Sequence, residues 1–133
     1  MTFFSYTISF IRGKEFKEPQ LLTKLLYRQI HTSRLRGVEN MPGWIIHLSI
    51  GYIFIAIMDC AFLFSGVQPS LWWGMIFGTG LGIIGVAGWK ILFAIHPNPP
   101  EIHFREFYIQ LLIAHIIFGL VGSLGYVIET FPN

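Results

Sequence analysis

The fold class this sequence predicts is all-α, a polytopic transmembrane helical bundle, and three observations predict it. Of 133 residues, 53% are hydrophobic and 12% charged, against roughly 25% charged in soluble domains. Three apolar runs, at 44–64, 71–95 and 99–128, each match or exceed the ~20 residues that a helix needs to cross a bilayer core. Seven of the nine Lys and Arg residues fall between Arg12 and Arg36, ahead of all three runs, and cation asymmetry of this kind orients membrane proteins. One membrane domain, residues 1–133, accommodates the whole chain.

Residues 1–11 are apolar from the start. They have no basic stretch before them and no small-residue cleavage site after them, so they do not read as a secretory signal. As a helix they rise only ~16 Å, about half of a ~30 Å bilayer core. The segment is therefore either interfacial or the inner part of a truncated first span, which would make four spans with both termini outside.

Residues 12–43 form a basic, interfacial segment. Leu21, Leu22, Leu25, Leu26 and Ile30 share one helical side, with Lys24 and His31 opposite, and Glu18 and Pro19 suit a helix N-terminus. A short amphipathic helix bordered by cations lies flat on anionic headgroups; a solvated connector helix is the alternative. Gly37 to Gly43, with Pro42, breaks the pattern.

The first full span, 44–64, holds His47 and Asp59 as its only ionisable side chains. An uncharged turn, Ser65 to Ser70, leads to the second span, 71–95, marked at its edges by Trp72, Trp73 and Trp89, because tryptophan prefers the headgroup boundary. His96-Pro-Asn-Pro-Pro100 stops that helix. Asn98, three residues before Glu101, resembles an N-cap with its acidic partner, so the third span is expected from Pro99 or Pro100 to Ile128, its first turns projecting through the headgroups. The cation count places the basic segment 12–43 and the connection 96–106 in the cytoplasm, and the turn near Gln68 and the C-terminus on the opposite side. The localisation expected is a cell inner membrane.

Gly74, Gly78, Gly82, Gly85 and Gly88 fall within ~120° of one face of the second span. The third span offers Gly119 and Gly122 with Ser123 nearby. Glycines so placed let helices approach closely, so these two spans should pack on each other. Asp59 is the costliest residue, lying ~8 Å inside the outer boundary. It is either an outward-reachable proton or cation site, or a carboxyl hydrogen-bonding Ser123 or Thr79 to hold the bundle. His115 lies deeper, on the Gly119–Gly122 face, at a depth near those of Ser49 and Tyr52. A relay from Asp59 through Tyr52 to His115 can be drawn, with interhelical hydrogen bonding as the plainer account.

His47, His96 and His103 lie near the cytoplasmic boundary. No two histidines are spaced at i, i+3 or i, i+4 on one helix, so no metal site is expected and these side chains are read as solvated. Lys90 should snorkel to the cytoplasmic edge, with Glu101 or Glu106 as its partner. The lone Cys60 excludes an intrachain disulfide. There is no phosphate-binding loop, nucleophile elbow or His-Glu-x-x-His motif, and nothing around the basic stretch suggests nucleic acid.

Met1-Thr-Phe-Phe-Ser-Tyr-Thr-Ile-Ser, Phe16-Lys-Glu-Pro-Gln-Leu-Leu, His47, Asp59 and the glycine-rich span together resemble small bacterial multi-pass membrane proteins of unknown function. The resemblance implies that residues 1–9 end a first transmembrane helix. It implies no activity, cofactor or catalytic residue. The expectation is a non-enzymatic interaction or assembly component, its partners the lipid bilayer and either another membrane protein or a second copy. Two alternatives stand: a small proton- or ion-coupled transport component using Asp59 and His115, and a haem- or metal-binding subunit with His47 and His115 facing each other.

Overall fold

The computed structural model of the chain describes residues 2–13, 17–30 and 41–130. Lys14, His31, Arg34 and Arg36, which belong to the expected surface-binding segment, lie outside the described residues. Among those described the chain is all helix: α1 (Thr2–Arg12), α2 (Glu18–Ile30), α3 (Met41–Ser65), α4 (Leu71–Ile95) and α5 (Phe104–Thr130). Three of these, α3, α4 and α5, are long and apolar enough to cross a membrane.

Two helix boundaries depart from the sequence expectation. Helix α3 begins at Met41, because Pro42 falls in its first turn, where a missing N–H costs nothing. Helix α5 begins only at Phe104. Pro97, Pro99 and Pro100 keep the connection out of the helix, with a bend at Pro97–Asn98, since a residue preceding proline is pushed out of the helical region. Asn98 therefore does not cap α5; its backbone N–H donates to Nδ1 of His96 at 3.1 Å. The cap that forms is at α4, where Ser70 Oγ accepts from the Trp73 backbone N–H. Gly66 adopts φ +66° in the preceding turn, a conformation that only glycine takes readily.

Helices α4 and α5 pack most closely. A Cβ on Gly78 would lie 2.5 Å from the His115 carbonyl oxygen, and one on Gly119 would lie 2.8 Å from the Gly78 Cα. Lipid tails give helices no hydrophobic reason to associate, so contact depends on such close backbone approach. Helix α3 joins this pair through long side chains instead. Met58 covers Gly122, and Phe62 sits edge-on to Phe77 and Tyr126, with ring centroids 5.3 and 5.5 Å away.

Two leucines of the α2 stripe, Leu21 and Leu25, turn inward onto the other helices. They are buried with Phe93, Phe107 and Leu111 in the core cluster where α2, α4 and α5 converge. His96, at the end of α4, secures α2 through its Nε2 and the Leu25 carbonyl, 3.0 Å apart. Gly43, at the start of α3, lies so close to α2 that its N–H donates to Thr23 Oγ1 at 3.1 Å. The short helix α1 lies beside α5 and α3, leaving Phe3, Phe10 and Ile11 exposed.

Candidate functional site

Two features collect the polar side chains of this apolar molecule. The first is a cavity at the end of the bundle where α2 packs, beside the core cluster. One of its lining residues, Glu18, belongs to a buried polar triad: Ser5 on α1 donates to Glu18 Oε1 on α2, and the Gln110 amide on α5 donates both to Ser5 Oγ and, at 3.3 Å, to Glu18 Oε1. One carboxyl oxygen thus ties together three helices whose residues lie up to 105 positions apart. Burial pushes the Glu18 carboxyl above its ordinary range, partly offset by the hydrogen bonds from Ser5 and Gln110. Its other oxygen, Oε2, is buried without a partner among the described residues.

The cavity lies between α2, α3, α4 and α5, with a volume of about 370 Å³. Glu18, His47 and His115 are its polar lining; Phe54, Trp89 and Leu111 are among its apolar walls. His115 is placed there by α5, one helical turn beyond Leu111, and its Nδ1 lies 2.8 Å from the Leu111 carbonyl oxygen. A carbonyl only accepts, so Nδ1 carries the hydrogen and Nε2 presents its lone pair. The Cε1–Nε2 edge of the ring faces Gly85, where a Cβ would come within 3.1 to 3.2 Å of it. On the opposite wall, His47 Nε2 is 3.0 Å from Thr2 Oγ1. Both imidazoles therefore line one space. Among the described residues, however, no three His, Cys, Asp or Glu side chains converge to hold a metal ion.

The second feature is on the outside. Asp59, Ser49 and Tyr52 are exposed, Tyr52 by 75%. Asp59 has no hydrogen bond or ion pair with any described residue, so the structure does not join it to Ser123 or Thr79. Ser123 is buried against Gly74, and Thr79 donates to the Met75 carbonyl one turn back at 2.8 Å. The drawn relay is likewise absent as a contact, since Asp59 and Tyr52 face outward while His115 is 3% exposed.

The glycine residues divide by role. Gly74, Gly78, Gly82 and Gly119 make the α4–α5 contact, Gly85 faces His115, Gly122 takes Met58, and a Cβ on Gly88 would meet nothing within 4 Å. Lys90 places its Nζ 5.5 Å from the Tyr108 ring centroid, a cation–π contact. His96 and His47 are buried and hydrogen-bonded instead of solvated. Sequence reasoning passed over Ser5, Glu18 and Gln110 as site residues. The available signal was Gln110, an uncharged amide inside an apolar run, which needs a buried partner.

No protein-family model matches the chain, and no curated protein or solved structure is significantly similar to it.

Proposed function

We propose that this chain is a non-enzymatic assembly component of a bacterial inner membrane, pairing side by side with a second copy of itself through the outer half of α3. The observation that carries the reading is Asp59, an exposed carboxyl side chain on a membrane-length helix, with no hydrogen bond or ion pair to any described residue. It lies six residues before the end of α3, ~9 Å along the axis, and an acidic group at lipid is expensive unless it is hydrated or paired.

The rest of that face suits a close helix pair. Ser49, Ile53, Ala56 and Cys60 fall within ~40° of its centre line, with Tyr52 and Asp59 along one edge, and all six are exposed. Three of the four central residues are small, which favours close approach. A twofold axis along the bilayer normal sets every residue opposite its own counterpart at equal depth. The two Asp59 carboxyls then come to the same depth, where they can pair by sharing one proton, since two ionised carboxylates would repel. In this reading the segment 12–43 and the connection 96–106 are cytoplasmic. No specific observation favours the transport alternative.

Cys60, the only cysteine of the chain, is exposed beside Asp59 and supplies the test. Thiol oxidation in native membranes should give a disulfide-linked dimer, and Asp59→Leu should reduce its yield. A cysteine that reacts with maleimide yet never yields the dimer would sink self-pairing. So would cross-linking only to a different protein.

A further inference from the structure

The cavity where α2 meets the longer helices carries an inference separate from pairing through α3. Its volume of about 370 Å³ lies in the range of small-molecule sites, roughly 300–1,000 Å³. Three of its lining residues bear ionisable side chains, and two of those are already engaged. Glu18 gives Oε1 to Ser5 and Gln110, and its Oε2 is sealed off, so it offers a ligand nothing. His47 holds its Nε2 3.0 Å from Thr2 Oγ1. His115 differs: its Nδ1 hydrogen goes to the Leu111 carbonyl at 2.8 Å, and its Nε2 lone pair meets no donor among the described residues.

The opening is on the side. Ile50 of α3 and Ile84 of α4 line the cavity and are also exposed, by 39% and 60%. Ile50 lies ~14 Å from the start of α3 and Ile84 ~17 Å from the end of α4, far inside helices long and apolar enough to cross a membrane. At that depth a spanning helix is surrounded by hydrocarbon. His115 is equally deep, ~17 Å from the start of α5. Two glycines of α4 keep the space clear. A Cβ on Gly85 would crowd the Cε1–Nε2 edge of His115 at 3.1 to 3.2 Å, and one on the exposed Gly88 would stand in the open with nothing within 4 Å.

These features select a chemistry. A bare acceptor calls for a hydrogen-bond donor, which a carbonyl, ether or ester lacks. Neither Lys nor Arg lines the cavity among the described residues, so an ionised carboxylate or phosphate head would go uncompensated in an apolar space. The charged head of a phospholipid is also held in the headgroup layer, out of reach of so deep a nitrogen. An uncharged molecule that dissolves wholly in hydrocarbon and carries one hydroxyl meets all three conditions. We propose that this cavity binds a lipophilic alcohol drawn from the membrane interior, its hydroxyl donating to His115 Nε2 and its apolar body passing out between Ile50 and Ile84.

The test uses the full chain in lipid nanodiscs and three probes of equal chain length, each dibrominated at mid-chain so that it quenches nearby indoles: dodecanol, its methyl ether and dodecanoic acid at neutral pH. Trp89 lines the cavity, so the alcohol should quench saturably in the wild type and lose that component in Trp89→Phe. The ether and the ionised acid should each bind about tenfold more weakly, the equivalent of one lost hydrogen bond. His115→Leu should erase the preference for alcohol over ether while leaving the ether's own affinity unchanged, a split that a purely structural role would not produce. Gly88→Leu, whose new side chain enters open space without straining a helix contact, should abolish saturation, and Gly80→Leu, outside the cavity lining, should not. Quenching that only rises linearly with probe, or that saturates unchanged in Trp89→Phe or Gly88→Leu, means that the site is not there. Equal affinity for the ether, a preference that persists in His115→Leu, or tighter binding of the acid overturns the assignment to alcohols.

Discussion

Glu18 shows how much one side chain can control. Its carboxyl is held above the ordinary range by burial, so the folded state prefers it neutral while the unfolded chain titrates it near ~4.3. Stability is therefore fully present below the unfolded value and declines as pH rises through the raised folded one. Among the described residues, the titratable groups near it include Tyr6 on α1, raised by burial and by the Glu18 charge, and His47 and His115, which line the same cavity. The thermal midpoint of the detergent-purified protein should fall as pH rises from about 4 to 8, and Glu18→Gln, which keeps an oxygen for Ser5 and Gln110, should flatten that slope. An unchanged slope in the variant would show that Glu18 is not its source. Gln110→Leu, which removes both amide donors, should cost about 1–3 kcal/mol in equilibrium unfolding. Glu18 was visible in the sequence only as an acidic residue at a helix start. Its burial follows from Ser5 and Gln110, 13 and 92 positions away, which no local pattern reports.

At the scale of elements, the glycine pattern of α4 was legible and its division of labour was not. Periodicity alone puts Gly74, Gly78, Gly82, Gly85 and Gly88 on one face, yet only part of that face touches α5 backbone. The reason is geometric: two straight helices crossing at an angle stay close over a limited length. Gly78→Leu should therefore force α4 and α5 apart and cost about 1–3 kcal/mol. Gly80→Leu, on the same helix with nothing within 4 Å of its Cβ, should leave unfolding unchanged. Equal effects of the two would show that helix propensity, and not contact, sets the cost. Helix α2 teaches the complementary point. Its stripe of leucines was clear, but a stripe does not say whether lipid or protein covers it; Phe93, Phe107 and Leu111 do.

Taken whole, the described residues form three membrane-length helices, with two short ones packed against the end of the bundle that holds the start of α3 and the end of α4. The orientation rests on the cation asymmetry, and labelling can check it: with Cys60 replaced by Ser, a Gln68→Cys variant should react with a membrane-impermeant maleimide added outside intact cells, and a His103→Cys variant only after lysis. The reverse pattern would invert the topology. What the sequence by itself determined is the helical class and the number of long apolar helices, because a bilayer sets a fixed length that apolar runs either reach or miss. Those are sums over neighbours in the chain, insensitive to what packs where. Only the tertiary structure decided which way each polar residue faces: Asp59 outward, His115 into a cavity, Glu18 into a triad. A few degrees of helix rotation decide between lipid and interior, and that rotation is set by contacts such as Met58 on Gly122 and Gln110 on Ser5, between residues far apart in the chain.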